Sequence, residues 1–172
     1  MRVARVGSLT IGLVLLSVLL ASAAITIKYL VGAPTTLLTT GLNSLANNTC
    51  SSVSANYDNR IGQTGDGATV CRMEFNGTFA SAPTANTAVT GWFLKTVDGT
   101  NFEDWPSTCS NFGRPPDYVL PVTAGQTTTR VAVDVPCPAE RFRVGVRNDG
   151  TGQSMAASGN TVKVLPIYQQ GN

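Results

Sequence analysis

The sequence predicts an all-β protein whose main part is an antiparallel β-sandwich or jelly-roll-like domain of seven or eight strands. Charged residues make up only 13% of the 172 residues, about half of the usual share. Thr, Ser, Asn and Gly take their place, and these residue types favour strands and turns. From Cys50 onward, short apolar runs also alternate with turn signals, which is the pattern of a sandwich.

Two segments show the strand pattern most clearly. In residues 128–135 valines alternate with polar residues, and in residues 141–147 the alternation places Val144 in the core and Arg143 outside. Residues 118–122 include a proline, which indicates an edge strand. Further clear strands are predicted over residues 68–75, 88–97 and 161–168, and a turn at Asp98-Gly99 leads from the second of these into a hairpin with Asn101-Phe102.

The N-terminal part of the chain has a different character, and we predict three segments. An apolar N-terminal helix covers residues 1–31, an extended arm covers 32–49, and the β-sandwich covers 50–172. Residues 6–27 contain no charged side chain, and a stretch of this length is long enough to cross a bilayer as a helix. They also fit a secretory signal cut near Ala24, or an apolar helix buried against partner subunits. The candidate anchor residues are Leu13, Leu15, Leu16, Leu19 and Leu20.

Charge and histidine content narrow the possible functions. The net charge is +2, and Arg2 and Arg5 account for it, so the rest of the chain is neutral. A neutral body gives no electrostatic basis for nucleic-acid binding. The chain has no histidine, the commonest general base and zinc ligand. We therefore predict a protein without catalysis, cofactor, metal site or nucleic-acid partner.

The cysteines favour disulfides over zinc. Cys50, Cys71, Cys109 and Cys137 contain no close CxxC pair, which a zinc site normally needs. Four cysteines allow three pairings. We favour Cys50–Cys71 with Cys109–Cys137, because each of these pairs consists of neighbours in sequence order. Four reduced core cysteines remain the alternative.

Polar and aromatic residues in the second half offer candidate surfaces. Arg141, Arg143 and Arg147 share one strand face, which makes either a docking patch for an acidic partner or a solvated face. Glu103 and Asp104 are adjacent, so on a strand they would point in opposite directions and serve poorly as a catalytic pair. The aromatics concentrated between residues 92 and 118 either fill the core or line a carbohydrate-binding surface.

Several short motifs occur together in a recognisable order. They are TTGLNSLANN at residues 39–48, VDGTNFED at 97–104, RFRV at 141–144 and AASGNTVK at 156–163. Over about residues 35 to 170, this set resembles a family of small tailed-bacteriophage virion proteins with an LNSL segment near the start and an SGNT hairpin near the end.

The resemblance implies a virion surface component of the decoration, head-spike or tail-accessory type, without catalysis. Its partners would be capsid or tail subunits and further copies of itself. The apolar N-terminus and the four cysteines depart from that pattern, since cytosolic disulfides are rare. The alternative is an exported or membrane-tethered bacterial binding module for a glycan or a protein, secreted or held at the cell surface through residues 6–27.

Overall fold

A computed structural model describes residues 27–84, 87–106 and 112–171. The described residues form nine strands and one short 3-10 helix, Thr40–Leu42. The strands are β1 Ile27–Val31, β2 Thr35–Leu38, β3 Tyr57–Asp58, β4 Val70–Thr78, β5 Thr87–Lys95, β6 Tyr118–Val122, β7 Thr128–Pro136, β8 Arg141–Asp149 and β9 Thr161–Gly171.

The strands form two antiparallel sheets. The first has the order β1-β9-β4-β7, and β2 also pairs with β9 beyond the end of β1. The second has the order β3-β8-β5-β6. Most neighbours within a sheet are therefore far apart in the sequence, and the chain passes repeatedly from one sheet to the other. The all-β, antiparallel part of the prediction is confirmed.

The core lies between the two sheets, where the apolar side chains of alternating residues meet. Met73 and Val164 from the first sheet are fully buried, as are Phe142 and Val144 from the second. Along β8 the alternation places Val144 inside and leaves Arg143 only partly buried, as the sequence predicts. The predicted edge strand is also correct, because β6 pairs only with β5 within its sheet.

The N-terminal boundaries predicted from sequence need correction. Residues 27–31, placed in the apolar helix, form strand β1 instead, because Ile, Tyr and Val favour the extended backbone. The predicted arm, residues 32–49, is part of the sandwich: β2 joins the first sheet, and Leu38 and Leu42 are buried in the core. The predicted helix before Ile27, including its five anchor leucines, lies outside the described residues.

Backbone hydrogen bonds join the LNSL segment near the start of the described chain to residues 155 and 156, just before the SGNT motif. Ser44 N–H donates to the carbonyl of Ala156 (3.0 Å), and Met155 N–H donates to the carbonyl of Leu45 (3.0 Å). Leu42 and Leu45 are buried below this contact. The LNSL segment is thereby tied to the part of the chain that leads into the SGNT motif.

The disulfide pairing predicted from sequence order is wrong. Cys71 is bonded to Cys137, because the antiparallel register pairs Cys71 with Val135 and so brings the chain just beyond β7 next to β4. This excludes both Cys50–Cys71 and Cys109–Cys137. Cys50 is disulfide-bonded as well, and Cys109 lies outside the described residues. The reduced-cysteine alternative does not hold for the three described cysteines.

Candidate functional site

Strand β9 extends beyond the sandwich together with β1. The pairing of β4 with β9 stops at Ile167, whereas β1 pairs with Ile167–Gly171. The two strands therefore form a two-stranded ribbon, defined here as residues 27–31 and 167–171. The ribbon has no second sheet packed over it among the described strands, and this explains why Tyr29, Leu30 and Val31 remain open to water.

Exposed apolar side chains concentrate at this ribbon. Six large apolar residues are exposed in the described parts of the chain, and four of them lie on or beside β1. These four are Tyr29, Leu30, Val31 and Ile61. Isolated exposed apolar residues are normal, but a contiguous group marks an interaction surface.

A hollow of about 540 Å³ lies at the base of the ribbon. Leu30, Val31 and Ile61 supply its apolar lining, and Tyr168 and Asp66 add polar groups. Ile61 is 86% exposed, so a large branched side chain is presented to solvent at the rim. The hollow is therefore amphipathic, with more apolar than charged surface.

Each arginine of the predicted docking face has a partner within the chain. Arg141 Nε donates to Asp58 (2.9 Å), Arg143 Nε donates to Asn56 Oδ1 (2.6 Å), and the Arg143 guanidinium lies 4.4 Å from the centroid of the Phe102 ring. These contacts tie β8 to the neighbouring loops and partly occupy the cationic groups that would bind an acidic partner.

Arg147, the third arginine of that face, also has a partner within the chain. Arg147 Nε lies 3.6 Å from Asp149 Oδ1, and its side chain is largely covered. The structure thus brings all three arginines to one strand, as predicted, but none of them projects as an unpaired charge. Their role as a docking patch remains a prediction.

The predicted acidic pair does not converge on one point. Glu103 Oε2 accepts hydrogen bonds from Lys95 N–H (2.9 Å) and Arg114 (3.0 Å). Burial acts to raise the pKa of Glu103, but these two donors outweigh it, so its pKa is lowered. Asp104 is exposed and has no hydrogen-bond partner among the described residues. Glu103 thus serves to hold the loop.

The aromatic residues divide between the core and a surface cluster. Phe93 and Tyr118 belong to the core between the sheets. Trp105 and Phe112 cover Trp92 on the outer side of the second sheet, with ring centroids 5.5–5.7 Å apart. A groove of about 440 Å³ runs beside this cluster and is lined by residues that include Phe102, Asp104, Trp105 and Arg143.

The oxygen-rich loop of residues 58–67 is organised by internal hydrogen bonds. The buried Asn59 side chain donates to the carbonyls of Ala68 (2.8 Å) and Pro138 (2.6 Å). Asp58 is held by Arg60 and Arg141. Within the described ranges, no group of three or more potential metal-ligating side chains occurs.

Comparisons with known proteins identify no relative: no family model, curated protein or solved structure matches the chain. No helix in the part of the chain described by the structure is long and apolar enough to cross a membrane.

The ribbon was not predicted from the sequence. Its signal was the β-branched and aromatic run of residues 27–31, which continues the preceding apolar segment without a break. Ile61 carries no periodic signal at all, because it lies alone in a polar loop.

Proposed function

We propose that this chain is a non-enzymatic structural protein of a bacteriophage particle. The strand order carries the proposal. Counted from β2, the sheets run β2-β9-β4-β7 and β3-β8-β5-β6, which is the order of a two-sheet jelly roll. Viral capsid and lectin domains share this architecture, so it supports a particle protein only by analogy of fold.

The ribbon supplies the second line of support, because a particle subunit needs a surface that is buried on assembly. The exposed residues Leu30, Val31 and Ile61 line one hollow, and the exposed Tyr29 lies next to Leu30 on β1. Residues 6–26, which carry no charged side chain, precede β1 in the sequence, and an apolar segment of that length also requires cover in water. Assembly through the ribbon and this segment would cover both.

The arrangement of polar residues is consistent with a structural role. The carboxylates of Asp58, Asp98 and Glu103 each bind several donors of their own chain. Side chains held in this way organise loops, which leaves them poorly placed to bind or transform a substrate.

The composition of purified phage particles tests the proposal. Quantitative mass spectrometry should find this chain in a fixed ratio to the major capsid or tail protein. The tryptic peptide of residues 6–28 should be present, because assembly requires the uncut N-terminus. Absence from particles, with recovery of a chain starting near Ala24 in a secreted fraction, would contradict the proposal.

The disulfides favour a second candidate, an exported or membrane-tethered binding module. Cys71–Cys137 and the bonded Cys50 indicate an oxidising compartment. Lectin domains also use the jelly roll, and the groove beside Phe102 and Trp105 combines aromatic rings with a free carboxylate. Glycan-array binding that is lost in Trp105→Ala, together with absence from particles, would favour this candidate.

A further inference from the structure

The outer edge of β1 has no partner among the described strands. β1 pairs with β9 on one side, and no other described strand pairs with it. It contains no proline and no bulge, and Lys28 is its only charge. Natural edge strands are usually protected by several such features, and because β1 has Lys28 alone, its edge is open to pairing with another strand.

The register of the ribbon shows which backbone groups face this open edge. Val31 pairs with Ile167, so the next residue, Gly32, lies opposite Pro166, and Gly32 N–H donates to the carbonyl of Pro166 (2.9 Å). In antiparallel pairs, alternate residues direct both backbone groups to the same neighbour. Even-numbered residues of β1 therefore bond to β9, and the N–H and C=O groups of the odd-numbered residues point outward.

We propose that β1 pairs antiparallel with β1 of a second copy of this chain, about a two-fold axis at Tyr29. In this register the outward groups of Tyr29 meet those of the same residue in the second copy, and Ile27 meets Val31. Every outward-facing residue of β1 then has a hydrogen-bonding partner, and the two first sheets become one continuous sheet. An isologous contact of this kind is the commonest route to a homodimer.

The charge and the apolar side chains of β1 are compatible with pairing to a second copy of the chain. The two-fold places Lys28 opposite Leu30 rather than opposite the other Lys28, so no like charges face each other directly. The exposed Tyr29 gains the Tyr29 side chain of the second copy as a cross-strand neighbour on the same face of the joined sheet. An acidic or polar partner strand would leave Tyr29 facing charged groups.

The size of the contact bears on how it is tested. Five residues of strand alone bury less than the ~1,200 Å² typical of stable interfaces. Residues 6–26 carry no charged side chain and precede β1 in the sequence, so the pairing is tested in the full chain.

Cysteine cross-linking tests the register. In the full chain, kept in solution with a mild detergent, Tyr29→Cys places two thiols at a hydrogen-bonded pair about 5.5 Å apart between Cα atoms. Leu30→Cys places them on a diagonal at about 7–8 Å, beyond the reach of a disulfide. We expect roughly tenfold more covalent dimer for Tyr29→Cys than for Leu30→Cys, because only the first satisfies disulfide geometry. Val119→Cys, at an exposed site on β6, is the distant control.

A proline variant tests the backbone contact. Tyr29→Pro removes an outward N–H and leaves the β1–β9 bonds intact, so sedimentation should change from dimer to monomer while the protein stays folded. Tyr29→Ala keeps that N–H and should retain dimer. Equal cross-linking at residues 29, 30 and 119, no cross-linking at 29, or dimeric Tyr29→Pro would each overturn the proposal.

The inference rests on the proposed role in an assembly, but it can fail separately. A chain present in particles that does not cross-link at residue 29 would overturn only the self-pairing. A chain that cross-links but is absent from particles would overturn only the proposed function.

Discussion

Trp105 lies directly on Gly145, and its indole N–H donates to the carbonyl of Ser51 at 2.8 Å. A Cβ atom added at Gly145 would come within 2.6–2.7 Å of three atoms of the indole ring. Only glycine at this position of β8 lets the loop that carries Trp105 close over the second sheet.

Gly145→Ala should therefore destabilise the protein by about 1–3 kcal/mol, the usual cost of overpacking. The displaced indole should also shift the tryptophan emission to longer wavelength. Gly113→Ala is the matched control, because a Cβ there meets nothing within 4 Å. Identical denaturation curves for the two variants would contradict the close packing of Trp105 on β8.

Val144 tests the face assignment of β8. Val144→Asp puts a carboxylate at a site with 0% exposure and should cost about 3 kcal/mol or more, since an unpaired buried charge is strongly unfavourable. Val119→Asp, at a strand residue that is 48% exposed, should cost less than about 1 kcal/mol. Chemical denaturation measures both, and equal losses would mean that the assigned face is wrong.

The Cys71–Cys137 bond closes a long loop, with a sequence separation of 66. By the loop-entropy relation, its removal in the double variant Cys71→Ala/Cys137→Ala should cost about 4 kcal/mol. Peptide mapping without reductant should recover the peptides of Cys71 and Cys137 linked to each other. A peptide linking Cys50 to Cys71 would contradict the pairing.

Asp58 should contribute to stability in a pH-dependent way. Hydrogen bonds from the Arg60 guanidinium, together with one from Arg141, hold the pKa of Asp58 well below its usual range despite partial burial. A carboxyl whose pKa is lower in the folded state stabilises the fold above its unfolded pKa, about 3.9, and loses that contribution as the pH falls below it.

Melting temperatures between pH 2 and pH 6 measure this contribution. Asp58→Asn should lower the melting temperature at pH 6 and flatten its fall below about pH 4, because the titrating group is gone. Asp104→Asn is the control, since that exposed carboxylate has no hydrogen-bond partner in the described parts of the chain. Parallel curves for wild type and Asp58→Asn would contradict the linkage.

The fold was predictable where strands alternate clearly between core and solvent, as in β7 and β8. It was less predictable at the N-terminus, because residues 27–31 continue an apolar run that is compatible with a helix and with a strand. The arm was misassigned for another reason: Leu42 and Leu45 are buried through contact with residues 155–156, more than 100 positions away in the sequence.

The candidate site was less predictable than the fold. An exposed edge depends on which strands fail to pair, and the end of the β4–β9 ladder at Ile167 is a property of the assembled sheets. The disulfide has the same origin, since the register of β4 and β7 determines which cysteines meet. The three arginines were placed on one strand, β8, but the ion pair of Arg141 with Asp58 on β3 could not be read from local spacing.

We propose above that the chain assembles into a particle through its apolar ribbon. One matched pair of variants tests this assembly most directly. Val31→Asp and Val119→Asp make the same change at exposed strand residues, 61% and 48% exposed, on the ribbon and away from it. Both proteins should fold with nearly the melting temperature of wild type. Copies per purified particle, counted by mass spectrometry, should fall severalfold or more for Val31→Asp and remain at the wild-type value for Val119→Asp. Equal incorporation of the two variants would contradict the claim.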